Sequence, residues 1–170
     1  MSVLIVVESS FGNTMAVAEV LAGALRGRAD VGDVTVVRTD ETPRLLPDGL
    51  DLMLVGAPTH AFTLPTPASR GQATVKGAPP ASEVGVREWI SDLEPQPGLR
   101  VITFDTSVRL RLSLGCAAKA AARLLRRRGF DRAERGPSFY VTGTAGPLAD
   151  GEQQRAARWA AGLGVERVLL

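Results

Sequence analysis

Residues 3–14 of the chain read Val-Leu-Ile-Val-Val-Glu-Ser-Ser-Phe-Gly-Asn-Thr. The first five are apolar and mostly β-branched, which is typical of a strand buried on both faces of a sheet. After a short polar turn, apolar residues recur at helical spacing at Val17, Leu21 and Leu25, and Gly27 ends the predicted helix. The stretch therefore predicts the opening strand–turn–helix unit of an α/β fold.

The rest of the chain continues this alternation of strands and helices. We predict further strands at Val34 to Val37, Asp51 to Gly56, Arg100 to Asp105 and Ser138 to Thr142, and further helices at Val84 to Ile90, Cys116 to Arg128 and Asp150 to Leu163. Asp150, followed three residues later by Gln153, predicts a capping box at the last helix. Apolar strands that alternate with helices predict one domain over residues 1–170, with a parallel sheet covered by helices on both faces.

One connection is much longer than the others. From Ala57 to Ser82 the chain contains five prolines and two glycines, and we predict an irregular loop there. Loops of this length are uncommon in compact domains unless they bind something. This one begins at the carboxyl end of the third strand, which is the edge of an α/β sheet where ligands bind.

Composition excludes several classes of protein. The 170 residues include one cysteine, Cys116, and one histidine, His60, and the net charge is +2. A single cysteine excludes an intramolecular disulfide and a cysteine-based zinc or iron–sulfur site, and a single histidine excludes a multi-histidine metal site. No apolar run approaches the roughly 20 residues that span a bilayer, and the N-terminus lacks a signal-peptide pattern, so we expect a cytoplasmic protein without a membrane span.

The densest basic group does not predict nucleic-acid binding. Arg123, Arg126, Arg127 and Arg128 lie at the end of a predicted helix, before Gly129. Cations at that position interact favourably with the helix dipole, and a nucleic-acid site needs a basic face combined with aromatic residues or a recognisable motif. We interpret the arginines as a solvated helix end, and the alternative is a patch that docks a partner.

The turn after the first strand carries the clearest functional pattern. Several hydroxyl and amide side chains precede a helix N-terminus, whose free N–H groups and dipole favour an anion. Gly12 allows the backbone to approach a ligand closely. The turn contains no lysine or arginine, which suits a phosphate monoester better than a triphosphate with magnesium, and neither the triphosphate loop nor the dinucleotide G-x-G-x-x-G pattern is present. The alternative is that these residues only cap the helix.

The segment Ser9-Ser10-Phe11-Gly12-Asn13-Thr14 resembles the phosphate loop of the flavodoxin family, T/S-x-T-G-x-T, at Ser9, Gly12 and Thr14. Phe11 stands where that family usually has a hydroxyl. The segments 56–62 and 104–107 are similar in position to the second and third flavin loops. The resemblance spans nearly the whole chain and implies a three-layer, doubly wound, five-stranded parallel sheet with the strand order 2-1-3-4-5.

The resemblance implies FMN as the cofactor. It implies that the first loop holds the phosphate, that the second lines the flavin ring, and that the third faces the ring edge and ribityl chain. The residues that it assigns to FMN are Ser9, Ser10, Phe11, Gly12, Asn13, Thr14, Pro58, Thr59, His60, Ala61, Phe62, Asp105 and Thr106. Phe62 or His60 would contact the ring, and the third loop offers no aromatic side chain.

Three functions remain open from the sequence. The first is an FMN electron carrier between protein partners, which the resemblance favours. The second is an FMN-dependent oxidoreductase that moves hydride from NAD(P)H to a quinone, for which the long Ala57–Ser82 segment would form a lid. The third is a binding module that has lost the cofactor, which Phe11 and the third loop favour. A response-regulator receiver domain is excluded because strand three ends in Val55-Gly56 rather than an aspartate, and no G-x-S-x-G hydrolase motif is present.

Overall fold

A computed structural model describes residues 1–164. It contains one sheet of five parallel strands in the order β2-β1-β3-β4-β5, which confirms the predicted topology. The strands are β1 (Val3–Val7), β2 (Val34–Arg38), β3 (Leu52–Pro58), β4 (Arg100–Val108) and β5 (Ala133–Val141). All five residues of β1 are buried, as the run of apolar, β-branched side chains predicts.

Helices cover both faces of the sheet. The helices are α1 (Asn13–Arg26), α2 (Pro67–Val75), α3 (Val86–Asp92), α4 (Ala117–Arg128) and α5 (Glu152–Ala161). Two apolar clusters result, one between the sheet and α1 with α5, and one between the sheet and α3 with α4. Alternate residues of β1 enter opposite clusters, as Ile5 and Val6 do, because successive side chains of a strand point to opposite faces. Within residues 1–164, no helix combines the length and hydrophobicity that a membrane crossing requires.

The carboxyl end of β3 is closely packed against β4. A Cβ atom on Gly56 would lie 2.2 Å from the Phe104 ring, so no larger residue fits without displacing that ring. Phe104 is buried and packs edge-on against Phe139 of β5, with ring centroids 6.3 Å apart. The absence of a side chain at Gly56 therefore leaves the space that the Phe104 ring occupies.

The prediction of an irregular loop from Ala57 to Ser82 was wrong, because α2 lies within it. Thr66 caps α2 by accepting a hydrogen bond from the Ser69 N–H, and the Ser69 hydroxyl accepts one from the Thr66 N–H. Pro67 occupies the first turn, where its missing N–H costs nothing. The prolines that suggested a loop thus include one that starts a helix.

Several predicted boundaries also differ from the structure. Helix α3 begins at Val86 rather than Val84, because the Gly85 N–H donates to the Glu88 carboxylate, 3.0 Å away. Strand β5 begins at Ala133 rather than Ser138 and includes a glycine and a proline, which an edge strand tolerates. The predicted capping box at Asp150 was wrong, since α5 begins after the left-handed Gly151 without a side-chain cap.

The smaller predictions about helix ends and side-chain packing are confirmed. Gly27 follows the last residue of α1, and Gly129 follows α4 in a left-handed conformation with φ of 105°. The arginines of the last turn of α4 thus lie at the helix C-terminus, where cations are favourable. Trp89 is buried, as its position on an apolar helix face predicts.

Candidate cofactor site

The loops after β1, β3 and β4 meet at the carboxyl edge of the sheet and enclose a cavity of about 270 Å³. Four predicted residues line it from the first loop and the start of α1: Ser10, Phe11, Asn13 and Thr14. The other two loops contribute seven lining residues, of which the first five belong to the predicted set: Pro58, Thr59, His60, Thr106, Ala61, Ser107 and Val108. The structure therefore brings together most of the residues that the sequence assigns to a ligand.

The backbone of the first loop presents a row of free donors. No acceptor within residues 1–164 receives a hydrogen bond from the backbone N–H groups of residues 10–14. Gly12, the residue before α1, has a left-handed φ of 87°, and a Cβ atom there would meet no protein atom within 4 Å. Left-handed backbone beside a helix N-terminus arranges successive N–H groups around an anion-sized concavity.

The side chains of the same loop are mostly engaged within the protein. The Ser9 hydroxyl accepts a hydrogen bond from the Met15 N–H at 3.3 Å, and the Asn13 amide donates to the Ala145 carbonyl at 3.2 Å. Asn13 thereby fastens this loop to the loop that follows β5. Ser10 has no hydrogen-bond partner within residues 1–164 and lines the cavity. We call residues 10–14 the phosphate cradle. The cradle offers backbone N–H groups and one hydroxyl, rather than the full set of polar side chains that the sequence predicted.

Thr14 and Thr106 link the first and third loops. Their hydroxyl oxygens are 2.7 Å apart in a buried hydrogen bond, and both residues border the cavity. Each hydroxyl keeps a lone pair beyond that bond. The contact therefore joins the start of α1 to the end of β4 at one side of the cavity.

Asp105 lies beneath the cavity instead of lining it. The residue has 0 % of its surface exposed, and Oδ2 accepts a hydrogen bond from the Ala118 N–H at 3.0 Å. Oδ1 has no hydrogen-bond partner within residues 1–164. The carboxylate therefore stabilises the N-terminus of α4, where a negative charge is favourable. The structure thus gives Asp105 a capping role through Oδ2, and its contact with a ligand stays a prediction.

The loop after β3 turns sharply at residues 60–63. Backbone hydrogen bonds join His60 and Thr63 in both directions, and the two residues between them, Ala61 and Phe62, have φ values of 47° and 66°. Such a turn normally contains asparagine and glycine, because left-handed backbone costs other residues roughly 1–2 kcal/mol each. Nearby, the Thr59 hydroxyl accepts a hydrogen bond from the Ala117 N–H at 2.8 Å, so it caps α4.

His60 faces the cavity as a neutral side chain. Its Nδ1 is 2.9 Å from the Ser69 hydroxyl of α2. Burial lowers the pKa of His60 below its ordinary value of 6.5, and the cations Arg70 and Lys76 lower it further. The imidazole is thus uncharged at neutral pH and acts as a hydrogen-bonding group that positions α2 against the β3 loop.

We expect the His60 imidazole to titrate below pH 6.5. The chain has one histidine, so its ring proton signals in an NMR pH titration are unambiguous. Because the folded state binds this proton less tightly than the unfolded state, the stabilising contribution is complete above pH 6.5 and is lost as the pH falls through the lowered pKa. Lys76→Ala should move the midpoint upward by removing a nearby cation. A midpoint at or above 6.5 in the wild-type protein would contradict this assignment.

A second cavity, of about 260 Å³, continues from the first between the β3 and β4 loops. The two share Thr59, Ala61, Ser107 and Val108. Phe62 and Tyr140 contribute aromatic side chains, and the Arg109 guanidinium lies 4.4 Å from the centre of the Tyr140 ring. From the sequence, Tyr140 is predicted to be a packing residue. It lies at the end of the edge strand β5, and no local pattern indicates that this end borders the β4 loop.

Helix α2 supplies site residues that the sequence analysis missed. The first cavity is also lined by Ser69, Gln72 and Lys76. These residues were not predicted as site residues because the helix itself was not predicted. Thr66-Pro67, a helix-start pattern, was the available signal. Lys76, the residue that follows α2, gives the cavity a cation, although the first loop has none.

A buried ion-pair cluster ties α2 and α3 to the end of β1. Arg70 of α2 lies 3.3 Å from the Glu8 carboxylate and 3.0 Å from Glu88 of α3. Glu8 also accepts a hydrogen bond from the Val86 N–H at 2.8 Å. Burial raises the pKa of Glu8 above its ordinary value, against the opposing effects of the Val86 N–H and Arg70. Glu8 directly precedes the first loop, so the cluster anchors that loop from below.

Cys116 does not have the character of an activated nucleophile. It is buried at the start of α4, and burial raises the pKa of its thiol, with the neighbouring Asp105 adding to the rise. A thiolate is the reactive form, and both effects disfavour it. Within residues 1–164, no group of three or more His, Cys, Asp or Glu side chains is placed to hold a metal ion.

A sheet in the order 2-1-3-4-5, with a donor-lined loop after its first strand, defines a flavodoxin-like fold. The chain aligns with a flavodoxin from the domain Archaea over 95% of its length and 94% of that chain, at a TM-score of 0.60 and 18% identity. With flavodoxin 1 from Bacillus cereus the values are 95% of each chain, 0.65 and 16%.

A similar alignment covers 94% of this chain but 34% of the rubredoxin oxygen:oxidoreductase from Desulfovibrio gigas, at a TM-score of 0.58 and 17% identity. No protein-family model and no curated protein matches the sequence. At these identities the likeness to solved structures establishes the fold.

Proposed function

We propose that this protein binds FMN and serves as an electron-transfer protein. The observation that carries the proposal is the row of free N–H groups at residues 10–14, which lies at the N-terminus of α1 beside the Ser10 hydroxyl. This donor set suits a phosphate monoester, which needs several hydrogen bonds and no bound cation. Ser10, Phe11, Gly12, Asn13 and Thr14 would hold the phosphate, chiefly through the backbone.

The adjoining cavities suit the rest of the cofactor. Cavities of about 270 and 260 Å³ that share four lining residues extend from the phosphate cradle between the β3 and β4 loops. Ligand pockets for small organic molecules are typically about 300–1,000 Å³ and mainly apolar, with a few polar groups. Phe62, Val108 and Tyr140 provide flat or apolar surfaces for the ring, and Thr59 and Thr106 border the path of the ribityl chain.

The protein's contribution to such chemistry is binding and positioning. FMN, when bound, supplies reversible one- and two-electron transfer. Within residues 1–164, His60 lines the first cavity, whereas Asp105 is fully buried, so His60 is the one of the two that would hydrogen-bond to a bound flavin.

Reconstitution and reduction test the proposed function. After incubation with FMN and gel filtration, flavin absorbance should co-elute with the protein at one equivalent per chain. Under anaerobic conditions, dithionite should bleach the visible band, whereas NADH and NADPH should not bleach it faster than they bleach free FMN. A rapid bleach by either nucleotide would instead support the NAD(P)H:quinone oxidoreductase. Absence of co-eluting flavin would support a binding module without cofactor and overturn the proposal.

A further inference from the structure

An exposed apolar patch borders the second cavity. It consists of Phe62 and the residues Val108, Leu110, Leu112 and Leu114 at the end of β4 and in the β4–α4 connection, with 42, 41, 53, 79 and 77 % of their surfaces exposed. Phe62, Val108 and Leu110 line the second cavity, and Phe62 and Leu114 also line a further depression of about 130 Å³. Shared cavity walls thus join Phe62, Val108, Leu110 and Leu114, and Leu112 lies between Leu110 and Leu114 along the chain. An exposed apolar patch on a folded domain usually marks an interaction site.

The backbone holds Phe62 in this exposed position at a cost. Ala61 and Phe62 both adopt left-handed φ values, which are unfavourable for residues with a side chain. A Cβ atom on Gly115 would lie 2.6 Å from the Phe62 carbonyl oxygen, so the turn and the β4–α4 connection are in close contact. Strained backbone that displays an aromatic side chain is characteristic of functional surfaces.

Positive charge surrounds the patch. Between Asp105 and Asp131 the chain carries no acidic side chain, and four of its seven basic side chains precede the last turn of α4. The 31 positions from Leu52 to Ser82 also contain no acidic residue. Arg109 and Arg111 alternate with the leucines of the patch, and Lys119 and Arg123 line the depression beside Phe62 and Leu114. A partner with an acidic rim would be attracted and oriented by this arrangement.

We propose that the apolar patch with its basic rim is the docking surface for an acidic redox protein. This inference rests on the proposed function, because the patch borders the cavity that we assign to the flavin ring. A second copy of the chain fits less well, since a two-fold contact would place the same cations opposite one another. A membrane surface would satisfy the charge but would bring no redox group to the cavity.

The test uses two small redox proteins of opposite charge. We would measure the binding of an acidic plant-type [2Fe–2S] ferredoxin and of basic cytochrome c by isothermal titration calorimetry, at low and high ionic strength, with and without FMN. We expect the ferredoxin to bind, with an affinity that falls as salt rises, and cytochrome c not to bind. Equal or tighter binding of cytochrome c would overturn the proposal.

Matched variants locate the interaction. Arg111→Glu/Arg123→Glu should weaken ferredoxin binding by at least about tenfold, and Leu112→Ser/Leu114→Ser should weaken it similarly. The control, Arg127→Glu/Arg158→Glu, makes the same charge change at the C-terminal ends of α4 and α5, at the opposite edge of the sheet, and should leave binding unchanged. If the charge-reversed pair at the patch binds like the control, the proposal is wrong.

Four further outcomes are decisive. A dimer in sedimentation velocity that the patch variants dissociate would make the surface a self-association interface and overturn the proposal. So would binding to phosphatidylcholine–phosphatidylserine vesicles that the patch variants abolish, without any binding to the ferredoxin. FMN titration of the same proteins separates the proposed function from the docking surface. Ferredoxin binding without FMN binding overturns only the proposed function. FMN binding without ferredoxin binding overturns only the docking surface.

Discussion

Gly12→Val should weaken FMN binding by at least about 100-fold, which corresponds to about 2.7 kcal/mol. Gly12 has a φ of 87°, a conformation that a β-branched residue adopts only with strain. Relief of that strain would rotate the peptide groups on either side and turn the N–H groups of the cradle away from a common centre. The added side chain would also project into the open space beside the cradle, since no protein atom lies within 4 Å of the Cβ position.

A second glycine provides the matched control. Gly49, in the turn before β3, has a φ of 77°, and a Cβ atom there would likewise meet no protein atom within 4 Å. Gly49→Val should therefore cost a similar amount of stability, roughly 1–2 kcal/mol, and leave FMN affinity unchanged. Fluorescence titration with FMN and urea unfolding on both variants separate the two effects. Equal losses of FMN affinity would show that the phosphate does not bind at the first loop.

Arg70→Met should destabilise the protein by about 3–5 kcal/mol at neutral pH, the usual cost of leaving a buried charge without its partner. The Arg70 side chain is 5 % exposed and lies between Glu8 and Glu88. The loss should shrink at acidic pH, because the pKa of Glu8 is already raised and a protonated Glu8 needs no cation. Urea unfolding at several pH values measures both effects.

Two further variants are controls for the Arg70→Met result. Arg44→Met removes an exposed ion pair with Asp92 at 3.2 Å and should cost less than about 1 kcal/mol. Glu8→Gln combined with Arg70→Met removes the unpaired charge but keeps an acceptor for the Val86 N–H, and should recover more than half of the lost stability. If Arg70→Met costs no more than Arg44→Met, the cluster does not anchor the first loop as we describe.

The sheet could be predicted from the sequence because its signals are local. Val3–Val7 and the other central strands are short apolar runs, and burial on both faces leaves few alternatives for them. Helix α2 was missed because proline both starts helices and interrupts them, and only Thr66 before Pro67 distinguishes the two cases. Strand β5 was cut short because Gly136 and Pro137 are unfavourable in central strands and acceptable at an edge.

The site was predictable in outline and not in its hydrogen bonding. The order of the elements places the three loops at one edge, so most residues of the cavity can be named from the sequence. Which polar side chains remain free depends on neighbours distant in sequence. Thr14 bonds to Thr106, and Thr59 caps α4. Asp105 is buried and accepts a hydrogen bond from the Ala118 N–H. Sequence periodicity carries no information about such long-range pairs.

The central claim is that a phosphate group binds at residues 10–14, and a comparison of FMN with riboflavin tests it most directly. The two compounds share the flavin ring and differ in the phosphate. We expect FMN fluorescence to be quenched saturably at one equivalent per chain, and FMN to bind at least about 100-fold more tightly than riboflavin, because the free N–H groups act only on the phosphate. Equal affinities for the two compounds, or no saturable binding of FMN, would contradict this claim.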